Sequence, residues 1–181
     1  MLCGYFYLNS NITETENRVS DIPYSSSNVQ NAGILLEICD SKTFFYLDFE
    51  GNDLLVIFPD ESVSVTVDSL YGYSINYEIS GDYSLVSDIV DILDGIEMTQ
   101  NGEKLRFTGV QICDMLARSD EYSELKRQLI SKILEKIGEQ GFEKKDFVYI
   151  IENSKTDLTV PDCYFWSDYI SGLCKNARFI N

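Results

Sequence analysis

The chain of 181 residues contains no His. Without it there is no Ser-His-Asp triad, no Cys-His pair and no His-ligated zinc site. Basic residues are scarce: 14 Lys and Arg stand against 30 Asp and Glu, for a formal net charge of −16. A field of that sign opposes direct binding of DNA or RNA, whose phosphates are anionic too. The five cysteines, Cys3, Cys39, Cys113, Cys163 and Cys174, are odd in number and contain no CxxC pair. That is the pattern of reduced thiols, not of a disulfide framework. The Gly-rich fingerprints of dinucleotide-binding folds and P-loops and the GxSxG of α/β-hydrolases are missing. No apolar run approaches the length of a membrane-spanning helix. The first eight residues carry no basic n-region and meet polar Asn9, Ser10 and Asn11 at once. Neither a signal peptide nor a lipoprotein leader is expected, and the expected compartment is the cytoplasm.

Apolar residues make up 44% of the chain and charged residues 24%, enough for a packed core of globular type. The acids are unevenly placed. Residues 1–103 hold 2 basic and 18 acidic side chains, and residues 104–181 hold 12 of each. Between Lys42 and Lys104 lie 13 acids and no base. Those carboxylates must therefore face water, the basic C-terminal helices or another molecule.

Residues 9–31 are polar, with Asn, Ser and Thr clusters and Pro23, and read as a loop or arm. An acidic β-meander is expected over 33–80. Short apolar, β-branched runs at 34–39, 43–50 and 54–58 are followed by the alternating segments 62–68 and 71–80. In the last of these Tyr71, Tyr73, Ile75, Tyr77 and Ile79 share one face. Helices are expected over 83–138, the first at 83–94 with Val86, Ile89, Val90 and Leu93 inward. A hairpin at 96–107 interrupts them, turning at Asn101 and Gly102. Leu125, Leu129, Ile133, Leu134 and Ile137 give the long helix its apolar side, and Lys126, Arg127, Lys132 and Lys136 its other side. Segment 147–181 reads as a final strand at 147–151 and a short aromatic helix near 162–173. Strands first and helices later give one α+β domain over 1–181, an antiparallel sheet from the N-terminal half packed against C-terminal helices.

No residue pattern supplies a catalytic set. Asp88, Asp91 and Asp94 recur every three residues, the spacing of one helix side, whereas a calcium loop needs alternate carboxylates, a Gly and a distant Glu. The turn at 48–53 is oxygen-rich without a full ligand set, so no metal and no cofactor are expected. Carboxylate pairs for glycosidase chemistry cannot be singled out among 30 acids. The cysteines read as small buried hydrophobes. The outward face of the expected sheet mixes aromatic rings, hydroxyls and carboxylates, the composition of a recognition surface for a basic protein. Its candidate partner-binding residues are Tyr46, Asp48, Glu50, Asp53, Asp68 and Glu78, with Asp88 and Asp91 on the following helix.

In overall character — an acidic 43–103 stretch, 12 Tyr and 10 Phe, no catalytic set — the chain resembles the immunity proteins of bacterial toxin systems such as contact-dependent growth inhibition. That resemblance implies a cytosolic, non-enzymatic protein that occludes the active site of a basic cognate toxin, such as a nuclease. The alternatives are a DNA mimic that blocks a nucleic-acid-binding enzyme, and a carboxylate-based hydrolase. No membrane and no direct nucleic-acid partner is expected.

Overall fold

A computed structural model describes residues 31–39, 41–59, 69–100, 102–118 and 122–180. The polar arm at 9–30 and the alternating segment 62–68, Asp68 included, lie outside them. The fold is α+β, with six helices and a six-stranded mixed sheet ordered β10-β3-β2-β1-β6-β9 among the described residues. β1 (Asn31–Ile38), β2 (Ser41–Asp48) and β3 (Asp53–Ile57) form the expected antiparallel meander. Two further strands join it in parallel: β6 (Tyr77–Gly81) beside β1, and β10 (Ala177–Ile180) beside β3. β9 (Lys155–Thr156) closes the β6 edge.

The central strands are buried on both faces, which explains why Ile34–Leu36 and Leu54–Ile57 are runs of apolar residues without polar alternation. On the helical side, Ala32, Ile34, Ile38, Leu47, Leu54 and Val56 join a core with helical Val90, Leu93, Leu129, Leu134, Trp166 and Leu173. On the other side Leu35, Phe44, Leu55 and Ile57 are covered by Leu70, Tyr73 and Ile75. The cover is a hairpin of β4 (Ser69–Leu70) and β5 (Tyr73–Ser74), turned by Tyr71 and Gly72, both at positive φ.

The segment 71–80 is therefore two strands and not one. Asn76 breaks it: its N–H donates to Gly33 O and its Oδ1 accepts from Gly33 N–H, both at 2.8 Å. The bend sends Tyr73 and Ile75 to the cover side and Tyr77 and Ile79 to the helical core, and leaves Tyr71 exposed. Gly33 is the residue that permits it. A Cβ there would sit 2.0 Å from Ser74 O and 2.8 Å from a Phe44 ring carbon. Gly33→Ala is expected to cost roughly 2–3 kcal/mol, read as a lower urea midpoint at unchanged slope.

α1 (Tyr83–Ile92) starts on Asp82, whose carboxylate accepts from Ser84 N–H at 2.8 Å. It stops where Gly95, at φ 80°, donates back to Val90 O. The hairpin of β7 (Ile96–Gln100) and β8 (Glu103–Phe107) follows as expected. α2 (Gly109–Arg118) packs on α1, and the long α3 (Tyr122–Gln140) ends at Gly141, again at positive φ.

The expected strand at 147–151 is instead part of helix α4 (Lys144–Glu152). A short β-branched run does not by itself distinguish strand from buried helix. Two features favour the helix: Asp146 Oδ2 accepts from Glu143 N–H at its start, and Phe147, Ile150 and Ile151 meet the core at helical spacing. The aromatic segment forms two short helices, α5 (Val160–Ser167) and α6 (Ile170–Lys175), and β10 ends the description.

Candidate functional site

Between the sheet and the helices lies a partly open apolar cavity of about 200 Å³. Leu36 and Ile38 of β1 and Thr43 and Phe45 of β2 form its floor; α1, α2, α3, α4 and α6, with Phe142 between α3 and α4, form the rest. Its walls come mainly from aliphatic and Phe side chains, with Ile130, Ile133 and Ile137 spaced along α3. Apolar side chains that line such a space give up the contacts a filled core would provide.

One end is polar. Lys126 of α3 lines the cavity and donates through Nζ to Ser41 Oγ at 2.7 Å and Lys42 O at 2.6 Å. Burial pushes its pKa down to about 8, with the Arg127 charge adding to the effect. The Phe58 ring stands beside it, 5.7 Å from Lys126 Nζ and 5.2 Å from the Arg127 guanidinium carbon. Two cations thus flank one ring. Lys126 lines the interior, and Arg127 lines an open groove of about 520 Å³ with Phe58, Phe179 and Lys132. Phe179 stacks on Phe58, ring centroids 6.4 Å apart. A second groove of about 360 Å³ shares Met98, Thr99 and Lys132 with the first and adds Lys104 and Lys136.

Such an arrangement suits an amphiphile. A dry apolar cavity accepts hydrocarbon. An anionic oxygen at its rim would restore the charge that desolvation disfavours on Lys126. Among the described residues no group of three or more Asp, Glu or Cys is placed to hold a metal ion. No described helix is long and apolar enough to cross a membrane.

The residues picked from sequence lie elsewhere. Tyr46, Asp48, Asp53 and Glu78 are on the sheet face away from the helices, and Glu50 is in the turn beside Asp48. The Tyr46 ring lies tilted against Tyr73, centroids 4.5 Å apart, and its hydroxyl pKa is raised by burial. Asp48 accepts from Gly51 N–H at 2.8 Å. Asp53 pairs with Arg178, whose hydrogen bond holds its carboxyl below the usual range. Asp88 and Asp91 are on α1, where Asp88 accepts from Tyr149 OH at 3.1 Å and Asp91 from Gly109 N–H at 2.8 Å. Several acids of the base-free stretch are thus used within the fold, two of them by cations of the C-terminal part: Arg178 for Asp53 and Arg106 for Asp94.

Thr43, Phe58, Lys126 and Arg127 were not singled out as a site, and Lys126 was placed on the outer side of its helix. The signal was present. Lys126, Leu129, Ile130 and Ile133 recur at i, i+3, i+4 and i+7, so this lysine shares the apolar face.

Of the cysteines, Cys163 and Cys174 are buried and burial pushes both thiols up to about 12, whereas Cys39 is exposed. A thiol reagent at pH 7.5 is expected to modify Cys39 in the native protein and to reach Cys163 and Cys174 only after unfolding.

Among solved structures, the fold is similar to that of TagT bound to LIIa-WTA, with 12% identity over 84% of this chain and 78% of that one and a TM-score of 0.64. It is likewise similar to Bacillus subtilis TagV (11% identity, 83% and 84% covered, TM-score 0.61). A third is the Lin1025 protein from Listeria innocua (15% identity, 83% and 81% covered, TM-score 0.61). Identities this low establish a shared fold. No family model matches the chain, and no curated protein matches it.

These findings correct the reading as a toxin immunity protein of the contact-dependent growth inhibition kind. The fold is shared with TagT, solved with WTA ligands bound, and with TagV. The expectation of a non-enzymatic protein is overturned with it, and the DNA-mimic and hydrolase alternatives are not favoured. The expected basic protein partner is corrected as well, since the TagT structures hold WTA ligands. Acidity and aromatic content misled because they describe a surface, whereas the cavity is set by the fold.

Proposed function

We propose that this chain binds a phosphate-linked cell-wall glycopolymer through its hydrocarbon carrier and acts in transfer of that polymer. The observation that carries the reading is the apolar cavity with the Lys126 ammonium at one end. The hydrocarbon enters the cavity, where each buried methylene contributes about 0.8 kcal/mol. The phosphate lies at the Phe58 end against Lys126 and Arg127, and the glycan runs along the groove past Lys132. Cations fixed at that position stabilise charge that develops on phosphoryl oxygens during transfer. Transfer, as distinct from binding, is supported by the fold shared with TagT and TagV.

The test is thermal unfolding with octyl phosphate, inorganic phosphate being the control. Octyl phosphate at a hundred times its Kd is expected to add about 2.7 kcal/mol and raise Tm by roughly 5–10 °C. Inorganic phosphate at the same concentration is expected to leave Tm within a degree or so of its starting value. Equal effects of the two ligands, or none from either, would defeat the reading.

A further inference from the structure

Thr43 is wholly buried on the helix-facing side of β2 and lines the apolar cavity. Its Oγ1 makes no hydrogen bond among the described residues. A buried hydroxyl without a partner has lost its water and gained nothing in return, and Val would fill the same space without that penalty. The neighbouring groups show where a partner would come from. Lys42 O, in the peptide bond that leads into Thr43, accepts from Lys126 Nζ at 2.6 Å, and Ser41 Oγ accepts from the same nitrogen at 2.7 Å. An ammonium has three donors, so one N–H of Lys126 remains beyond these two bonds. The polar end of the cavity therefore offers a hydroxyl and an N–H, one peptide unit apart along β2, against otherwise apolar walls.

We propose that Thr43 is a ligand-binding residue whose hydroxyl hydrogen-bonds the first oxygen of the bound amphiphile, the oxygen joining its hydrocarbon to phosphorus, while Lys126 holds the phosphate beside it. The inference rests on the reading of the cavity as the hydrocarbon site and adds a specificity to it. The cavity selects an oxygenated chain end over a plain hydrocarbon, and that oxygen lies at the sheet, inside the protein surface.

The test compares octyl phosphate and octane on the full chain, each measured by displacement of a fluorescent apolar probe, for wild type, Thr43→Val and Thr43→Ser. Thr43→Val is expected to weaken octyl phosphate about tenfold, equivalent to 1.4 kcal/mol, with octane unchanged. Thr43→Ser, which restores the hydroxyl, is expected to recover most of the loss. Equal affinity of wild type and Thr43→Val for octyl phosphate would overturn the proposal. A parallel loss for octane would overturn it too, as an effect of packing. If wild type binds octane but not octyl phosphate, the cavity stands and the Thr43 contact fails. If it binds neither probe, the cavity reading itself fails.

Discussion

Replacing Lys126 by Met is expected to weaken octyl phosphate binding at least a hundredfold at pH 7 and to make the stability of the protein less dependent on pH. The first effect follows from removing a charged hydrogen-bond donor at the rim of an apolar site; such contacts contribute about 1.5–3 kcal/mol each, and the phosphate charge is left without its counter-ion. The second follows from linkage. Desolvation, with Arg127 adding to it, holds Lys126 at about 8 in the folded protein against 10.5 for an ordinary lysine. Below pH 8 both folded and unfolded chains carry the proton, and the whole penalty of burying the charge is present. Between pH 8 and 10.5 the unfolded chain binds a proton that the folded one has released, so stability rises with pH across that window. The full shift converts to about 3 kcal/mol, which partial access of water reduces to roughly 1–2 kcal/mol. The difference in unfolding free energy between wild type and Lys126→Met should change by that amount between pH 7 and 10, because other titrations cancel in the subtraction. Octyl phosphate affinity of the wild type should fall about tenfold per pH unit above pH 8 as the ammonium is lost. An affinity flat to pH 10 would place the phosphate away from Lys126.

Ile133→Phe should raise stability and weaken binding. Ile133 lines the cavity from α3. A ring there occupies space that now makes no contacts, and filling a cavity commonly adds about 0.5–2 kcal/mol. The variant should melt a few degrees above wild type and lose both octane and octyl phosphate. That pairing, a gain in stability with a loss of binding, distinguishes a cavity kept for a ligand from a packing defect. Higher stability with unchanged octane affinity would show that the hydrocarbon binds elsewhere.

Much of the fold follows from local pattern. The meander 33–58, helix α1, the 96–107 hairpin and helix α3 carry their own caps, turns and periodicities, and the structure keeps them within a few residues. The departures have tertiary causes. Nothing near Asn76 announces that its side chain will bind Gly33 and divide the 71–80 run. The β-branched residues at 147–151 satisfy strand and helix patterns equally until Asp146 and the core choose helix. Parallel addition of β6 and β10 to the sheet depends on long crossovers that short-range periodicity does not encode. The site was less legible still. A cavity is a property of how far a sheet and helices stand apart, and the same Leu and Ile residues would read identically in a filled core. Lys126 on the apolar face of α3 is the one local clue, and basic residues at several neighbouring positions of that helix mask it.

The most direct test of the hydrocarbon site is a titration of protein labelled with ¹³C at the Ile δ1 methyls, followed by NMR as octyl phosphate is added. Ile130, Ile133, Ile137 and Ile150 line the cavity, while Ile57 lies under the β4–β5 cover on the opposite face of the sheet. The account predicts saturable shifts of these four methyls, among those that line the cavity, with Ile57 unmoved. Shifts spread evenly over both faces, or cavity methyls that stay fixed while the ligand binds, would contradict it.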